Sequence, residues 1–148
     1  MSQVFVSGHK SPDTDSIAAA LSYSYLKRRL GMDAVAVRAG EINKESRFAL
    51  DYFNLEEPIL VTSVERKNPE DEKQKVILVD HNESKQTIDG MDDAEVLEII
   101  DHHRFGDFES ENPIFILVRP VGCVNTVIYG LYKANHIKPS REIAGIML

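Results

Sequence analysis

Four of the five histidines of this 148-residue chain fall in three short Asp/His clusters, each following an apolar run. They are Gly8-His9-Lys10-Ser11-Pro12-Asp13-Thr14-Asp15-Ser16, Asp80-His81-Asn82 and Asp101-His102-His103. Carboxylates and imidazoles delivered together are what a site for two divalent metals requires. The absence of thiolates from the set points away from structural zinc and towards manganese, cobalt or magnesium with open water positions. Two such cations about 3.5–4 Å apart can hold a bridging hydroxide near neutral pH. That hydroxide attacks phosphorus in line, while metals and cationic side chains absorb the developing charge. The expected chemistry is hydrolysis of a phosphoanhydride or a phosphodiester, and the spacing does not choose between them.

Each cluster alone also has an ordinary structural explanation. The H-x3-D-x-D spacing puts Asp13 and Asp15 at or near a helix N-terminus, where acids cap and complement the dipole. Pro12 keeps Ser11 extended before that helix. A second acid and the upstream His9 are more than capping needs. Asp80 ends an apolar strand, where Asp favours turns, yet it is also placed to bridge two cations with its two oxygens. His102 and His103 are neighbours on an extended chain and are expected on opposite sides. One can ligate metal as neutral imidazole and the other, charged, can donate to a phosphate oxygen. Asp13-Thr14-Asp15 also resembles the aspartyl-phosphate motif of haloacid-dehalogenase-type phosphatases, whose nucleophile sits immediately at a strand end. Here seven residues, Ser7 to Asp13 inclusive, follow Val6, and paired histidines have no place in that scheme.

The elements that must position these clusters alternate. Apolar runs at residues 4–6, 34–37, 59–61, 76–79, 96–100 and 114–118 predict strands. Helical spacing of Ile17, Ala20, Leu21, Tyr25 and Leu26 predicts a helix from about Ser16 to Leu30, closed by Gly31. Lys27-Arg28-Arg29 would complement its C-terminal dipole. A second helix is expected over 43–53 with Phe48, Leu50 and Phe53 partly inward, and a third over 122–136 with Val124, Val127, Ile128, Leu131 and Tyr132 inward. Ser140 is the candidate cap of a fourth. Residues 63–75 lack apolar periodicity and read as a polar, solvated loop. This is an α/β pattern: a mainly parallel sheet flanked by helices, joined by right-handed crossovers, with ligands gathering at the carboxyl ends of the strands.

An apolar fraction of 43% and a charged fraction of 28% fit one globular domain, residues 1–148. The formal charge of −7, without a long basic run, argues against nucleic acid as a partner. No apolar stretch is long enough to span a membrane and no signal-peptide pattern opens the chain, so the cytoplasm is the expected location. The single cysteine, Cys123, excludes an internal disulfide and is expected to be a small buried residue.

In order and placement, the clusters resemble the DHH phosphoesterase superfamily. Gly8-His9-Lys10-Ser11-Pro12-Asp13-Thr14-Asp15-Ser16, Val79-Asp80-His81-Asn82-Glu83 and Ile100-Asp101-His102-His103-Arg104 are similar, more narrowly, to the family II, manganese-dependent inorganic pyrophosphatases. Further similarity in Arg38-Ala39-Gly40-Glu41-Ile42-Asn43, Leu50-Asp51-Tyr52-Phe53, Pro120-Val121-Gly122-Cys123 and Glu142-Ile143-Ala144-Gly145 covers nearly the whole chain.

The resemblance implies that His9, Asp13 and Asp80 hold one Mn2+ and that Asp15, Asp80 and His102 hold a second, with Co2+ a possible substitute. It casts His103 as the catalytic contact to pyrophosphate, with Asp13 beside it, and gives Asp101, Asn82 and His81 supporting roles. Substrate would arrive with Mg2+, and a homodimer is expected. The family also has a further aspartate ligand beyond the stretch matched by Ile143 to Leu148, and a C-terminal domain whose Lys and Arg grip the substrate. The chain stops at Leu148 within an apolar helical run. The expectation is therefore the metal-holding part of a two-domain hydrolase, weakly active or inactive alone. With only a short loop at 63–75, the adenine-nucleotide-binding insertion of some family members is not expected. The competing expectations are a DHH phosphodiesterase acting on short or cyclic nucleotides and a non-catalytic metal-binding or dimerisation fragment.

Overall fold

The computed structural model describes residues 2–148. Its six strands form one sheet in the order β3-β2-β1-β4-β5-β6, and every neighbouring pair is parallel. The strands are β1 (Val4–Ser7), β2 (Ala34–Arg38), β3 (Ile59–Leu60), β4 (Lys75–Val79), β5 (Glu95–Asp101) and β6 (Phe115–Val118). The α-helices among the described residues are α1 (Thr14–Arg29), α2 (Lys44–Tyr52), α3 (Val124–Ala134) and α4 (Arg141–Met147), with short 3-10 turns at Ser84–Gln86 and Met91–Asp93. None of them is long and apolar enough to cross a membrane.

Local chemistry sets the boundaries. Asp13, Asn43 and Ser140 cap α1, α2 and α4 by accepting the backbone N–H of Ser16, Ser46 and Ile143. The first helix thus begins at Thr14, earlier than the apolar spacing suggests, because the cap and not the first apolar residue fixes the start. It ends beside Lys27, Arg28 and Arg29, and Gly31 follows with φ 95°. On α2 the inward residues are Ser46 and Leu50, with Ala49 and Phe53 alongside. Phe48, expected inward, is 70% exposed and stacks on Tyr52 instead.

Both faces of the sheet are buried at its central strands, while the edge strands β3 and β6 are largely exposed. On one, Val4, Val6, Ile77, Val79 and Ile100 pack against Ala20, Tyr23 and Leu26 of α1 and Val124, Ile128 and Tyr132 of α3. Val37, Val76, Leu78 and Ile99 face the other way, where irregular segments supply the cover through Val64, Ile88, Met91, Phe108 and Ile114. The links from β1 to β3 therefore run on the helical face, and those from β3 through β6 run on the opposite face. This is what a single handedness of crossover produces when the strand order reverses. Residues 61–74 carry no strand beyond the isolated bridge of Ser63 to Asp89, but they are not merely solvated: Val64 is buried and Arg66 pairs with Asp93.

β5 contains an irregularity invisible in its sequence. Val76 pairs with Val96 but Ile77 pairs with Glu98, so Leu97 is an extra residue. The bulge lets Val96 and Ile99 share one face although they lie three apart. It also turns Glu98 into the helical core, where its carboxylate accepts from Tyr23 Oη at 2.5 Å and pairs with Lys27 Nζ at 2.8 Å.

Candidate metal centre

The strand order reverses between β1 and β4, and the crevice at such a reversal is where open α/β sheets bind ligands. All three Asp/His clusters meet there. His9 and Asp13 follow β1, Asp80 follows β4, and Asp101 ends β5 with His102 and His103 after it. The approach is tight at Gly8: a Cβ there would lie 1.8 Å from Ser16 Oγ. That hydroxyl accepts the N–H of His9 at 3.0 Å, so the strand end and the first turn of α1 lock together only around a glycine.

Asp80 is the centre of the constellation. It is 1% exposed and adopts φ 61°, a left-handed conformation that Asp tolerates better than most residues. Its two oxygens face different imidazoles. Oδ2 lies 3.3 Å from His9 Nε2, and Oδ1 lies 2.9 Å from His102 Nε2. Asp13 Oδ1 is 3.6 Å from His9 Nε2 while also capping α1, so its capping role and its place in the cluster coexist. Asp15 Oδ2 lies 3.4 Å from His102 Nε2. Donor atoms of His9, Asp13 and Asp80 all lie within 4.8 Å of one another, as do those of Asp80, Asp101, His102 and His103. Asp15 falls in neither group and joins the centre through His102.

Outer hydrogen bonds orient the inward-facing side chains. A carbonyl only accepts, so the 2.8 Å contact of His102 Nδ1 with Val121 O places a hydrogen on Nδ1 and directs Nε2 at the carboxylates. His103 Nδ1 lies 2.7 Å from Asp101 Oδ1, leaving its own Nε2 available on a ring that is half exposed. His102 and His103 do not point to opposite sides: β5 stops at Asp101, the chain bends, and the two rings sit 4.2 Å apart. Their partners, not their directions, distinguish them. Asp101 is fully buried and also accepts from Asn82 Nδ2 and the backbone N–H of His102 and His103. Asn82 completes its own valence with Arg104 O and Gly106 N. His81 donates Nδ1–H to Val79 O, packs edge-on against His9, and keeps a buried, unpartnered Nε2.

Asp15 has partners that sequence patterning missed. Cys123 Sγ and Asn125 Nδ2 donate to its Oδ1 at 2.9 and 2.7 Å, and Val124 N donates to Oδ2 at 3.0 Å. Cys123, expected as a small buried residue, is only partly buried and faces the site. Burial and then the Asp15 carboxylate raise its thiol pKa, so it remains a protonated donor.

The electrostatics suit cations. The Asp13 and Asp80 carboxylates raise His9 from 6.5 to about 9, so a proton sits between acids at neutral pH where a metal ion can replace it. Asp13 is correspondingly lowered, chiefly by His9. Burial raises Asp80, against the influence of His9. Burial opposes the charged form of His102, but the Val121 carbonyl and the Asp80 and Asp15 carboxylates outweigh it and raise its pKa. Burial lowers His81 to about 4, which keeps it neutral. Imidazole nitrogens, carboxylates on both sides and no thiolate among these contacts form a donor set that fits hard or borderline divalent ions.

A reversed parallel sheet with strand-end Asp and His groups defines a class, and the chain belongs to the DHH family: residues 3–148 match the model of the "DHH family, N-terminal domain". The similarity narrows from there. Over all 148 residues the chain is 48% identical to a protein of Exiguobacterium sp. and 49% identical to one of Bacillus licheniformis, each described as "Probable manganese-dependent inorganic pyrophosphatase". A crystal structure of the "putative family II inorganic pyrophosphatase" of Methanococcus jannaschii superposes with a TM-score of 0.84 at 35% identity, covering 98% of this chain. The chain spans 46% of the length of each of these three proteins.

Proposed function

We propose that this chain is the metal-holding unit of a manganese-dependent inorganic pyrophosphatase, hydrolysing pyrophosphate to two phosphates as part of the complete enzyme. The observation that carries this is the Asp80 carboxylate, whose two oxygens face the separate imidazoles of His9 and His102. His9, Asp13 and Asp80 would hold one Mn2+, and Asp15, Asp80 and His102 the other, with Co2+ able to substitute. When bound, such a pair supplies Lewis acidity to a water and to the phosphate oxygens.

The chain's own residues do the rest. Asp80 keeps the two positions at a fixed separation from a buried, left-handed turn. Val121 O holds His102 with its Nε2 lone pair inward, while Asp101 turns His103 so that its Nε2 serves a phosphate oxygen. Asp13, whose side chain is 61% exposed, is the second group at the mouth that we assign to catalysis. The net charge of −7 repels a pyrophosphate anion, so the substrate enters with Mg2+ and meets Lys and Arg side chains of a further domain. In this scheme the 148-residue chain alone turns over slowly, and the assembly is a cytoplasmic homodimer.

The test is single-turnover assay of the chain with Mn2+, using pyrophosphate and cyclic dinucleotide in parallel, with solution mass measured alongside. Slow phosphate release from pyrophosphate and intact dinucleotide are expected. Cleavage of the dinucleotide with pyrophosphate untouched would instead identify a phosphodiesterase. Mn2+ binding with neither substrate consumed would identify a non-catalytic module, and a monomer mass would remove the dimer.

A further inference from the structure

We propose that Asn125 is a positioning residue for the second metal position, acting through Asp15; this rests on the two-cation centre proposed above. Asn125 is the second residue of α3, is 3% exposed, and touches neither imidazole of the centre among the hydrogen bonds it makes. Its Nδ2 donates to Asp15 Oδ1 at 2.7 Å and to Asp15 O at 3.1 Å, so one amide grips both the side chain and the backbone of the same residue. Its Oδ1 accepts from Ser22 Oγ at 3.1 Å, two turns along the same face of α1 from Asp15. Ser22 is itself fixed, since its carbonyl accepts from the buried Tyr132 hydroxyl. Tyr132, Ser22, Asn125 and Asp15 therefore form a buried chain of hydrogen bonds that ends at the metal centre.

The geometry gives this chain a specific task. A carboxylate in the first turn of a helix has free side-chain torsions and, at a solvent-facing mouth, would sample several orientations. Here Oδ1 receives both the Asn125 amide and the Cys123 thiol, whereas Oδ2 receives one backbone N–H and lies 3.4 Å from His102 Nε2. The amide thus selects which oxygen faces the second position. Asp15 needs such help more than Asp80 or Asp13, because Asp80 is held by burial in a strand-end turn and Asp13 by its own helix cap. Outer partners of this kind typically alter metal affinity by about 10–100-fold.

The experiment titrates the 148-residue chain with Mn2+, following free and bound ion by electron paramagnetic resonance, with a thermal melt of each variant. Wild type is expected to take two ions. Asn125→Ala should bind the first as wild type does and the second about 10–100-fold more weakly. Asn125→Asp, which keeps the volume but replaces the donor with an anion facing Asp15, should lose the second ion further. Ser22→Ala breaks the chain beyond Asn125 and should cost stability while leaving the second ion much closer to wild type. Unchanged second-ion affinity in Asn125→Ala overturns the assignment while leaving the two-cation centre standing. Equal weakening of both ions in Asn125→Ala and Ser22→Ala, in step with their melting temperatures, shows a purely structural role and also overturns it. Should Asn125→Ala fail to fold, the isosteric Asn125→Asp decides by the same criteria. A wild-type chain that takes no second Mn2+ overturns the two-cation reading first and this assignment with it.

Discussion

His102 Nε2 lies 2.9 Å from Asp80 Oδ1, close enough that the two atoms must share either a proton or a cation. Asp80 should therefore be the most costly single residue of the centre. Asp80→Gly, which accepts the φ of 61° without strain, is expected to lose affinity for both Mn2+ ions by more than the ~100-fold typical of an outer partner. Asp80→Ala should do the same and be less stable than Asp80→Gly by roughly 1–2 kcal/mol, the cost of a left-handed alanine. His103→Ala should keep both ions and lose turnover by about 10²–10⁴. Calorimetric Mn2+ titration beside an activity assay separates these outcomes, and equal loss of metal affinity at positions 80 and 103 would contradict the division of labour.

The metal-free chain should be most stable near pH 6.5. His9 is raised to about 9, so its contribution is complete below its unfolded value of about 6.5 and disappears as pH rises through 9. His81 is lowered to about 4, so its contribution is present above 6.5 and is lost as pH falls towards 4. The two slopes oppose and leave a maximum between them. In the proposed centre Mn2+ takes the place of the His9 proton, so saturating metal should flatten the alkaline side. Thermal melts from pH 4 to 10, with chelator and with Mn2+, provide the check; an alkaline slope of the same size in both would remove His9 from the explanation.

Gly8→Ala should damage the centre without touching a ligand. The new Cβ would meet Ser16 Oγ at 1.8 Å and must displace either α1 or the His9 backbone. Strain of about 1–3 kcal/mol and weaker Mn2+ binding are expected. Combining Gly8→Ala with Ser16→Gly should recover part of the stability, as measured by denaturant unfolding, because the obstructing side chain is gone. No recovery in the double variant would place the strain elsewhere.

Asn82→Ala should act on turnover through Asp101. Removing the amide takes one donor from the buried Asp101 carboxylate and releases Gly106 N. His103 then loses its orientation while His9, Asp13 and Asp80 keep theirs. The expected signature is a lower kcat with near-normal Mn2+ affinity; unchanged kcat would show that Asp101 holds His103 without help.

Much of the fold was legible because parallel strands write themselves plainly. Val76, Ile77, Leu78 and Val79 are all buried, two facing each way, so a strand covered on both sides reads as an unbroken apolar run. The placement of the Asp/His clusters at strand ends followed from the same runs. Leu97 was not legible as a bulge, since its apolar character fits either register and only pairing with β4 reveals the extra residue. Nor was the grip of Cys123 and Asn125 on Asp15, because these partners are separated by 108 and 110 residues and neither pattern nor spacing connects them. The adjacent placement of His102 and His103 escaped for a local reason: alternation holds within a strand, and β5 ends one residue too soon. Val64 was hidden by its setting, a lone apolar residue at the edge of a charged segment.

The unequal cover of the sheet has a kinetic consequence. The helical face is closed by continuous backbone ladders, whereas residues 83–94 and 104–114 close the other face with turns and scattered side chains. Glu83 with Arg104, and Ser84 with Asp107, tie those two segments to each other, so they should open as one unit. Regions of this kind exchange amide hydrogens by local opening, well below the global unfolding free energy. Because Asn82 adjoins that unit and bonds Gly106 within it, each opening would loosen the support behind Asp101 and His103 and leave His9, Asp13 and Asp80 assembled. In the proposed two-cation centre, such breathing would let the His103 imidazole relax between turnovers while the ions stay bound, and deuterium uptake at 104–114 ahead of α1 would be its trace.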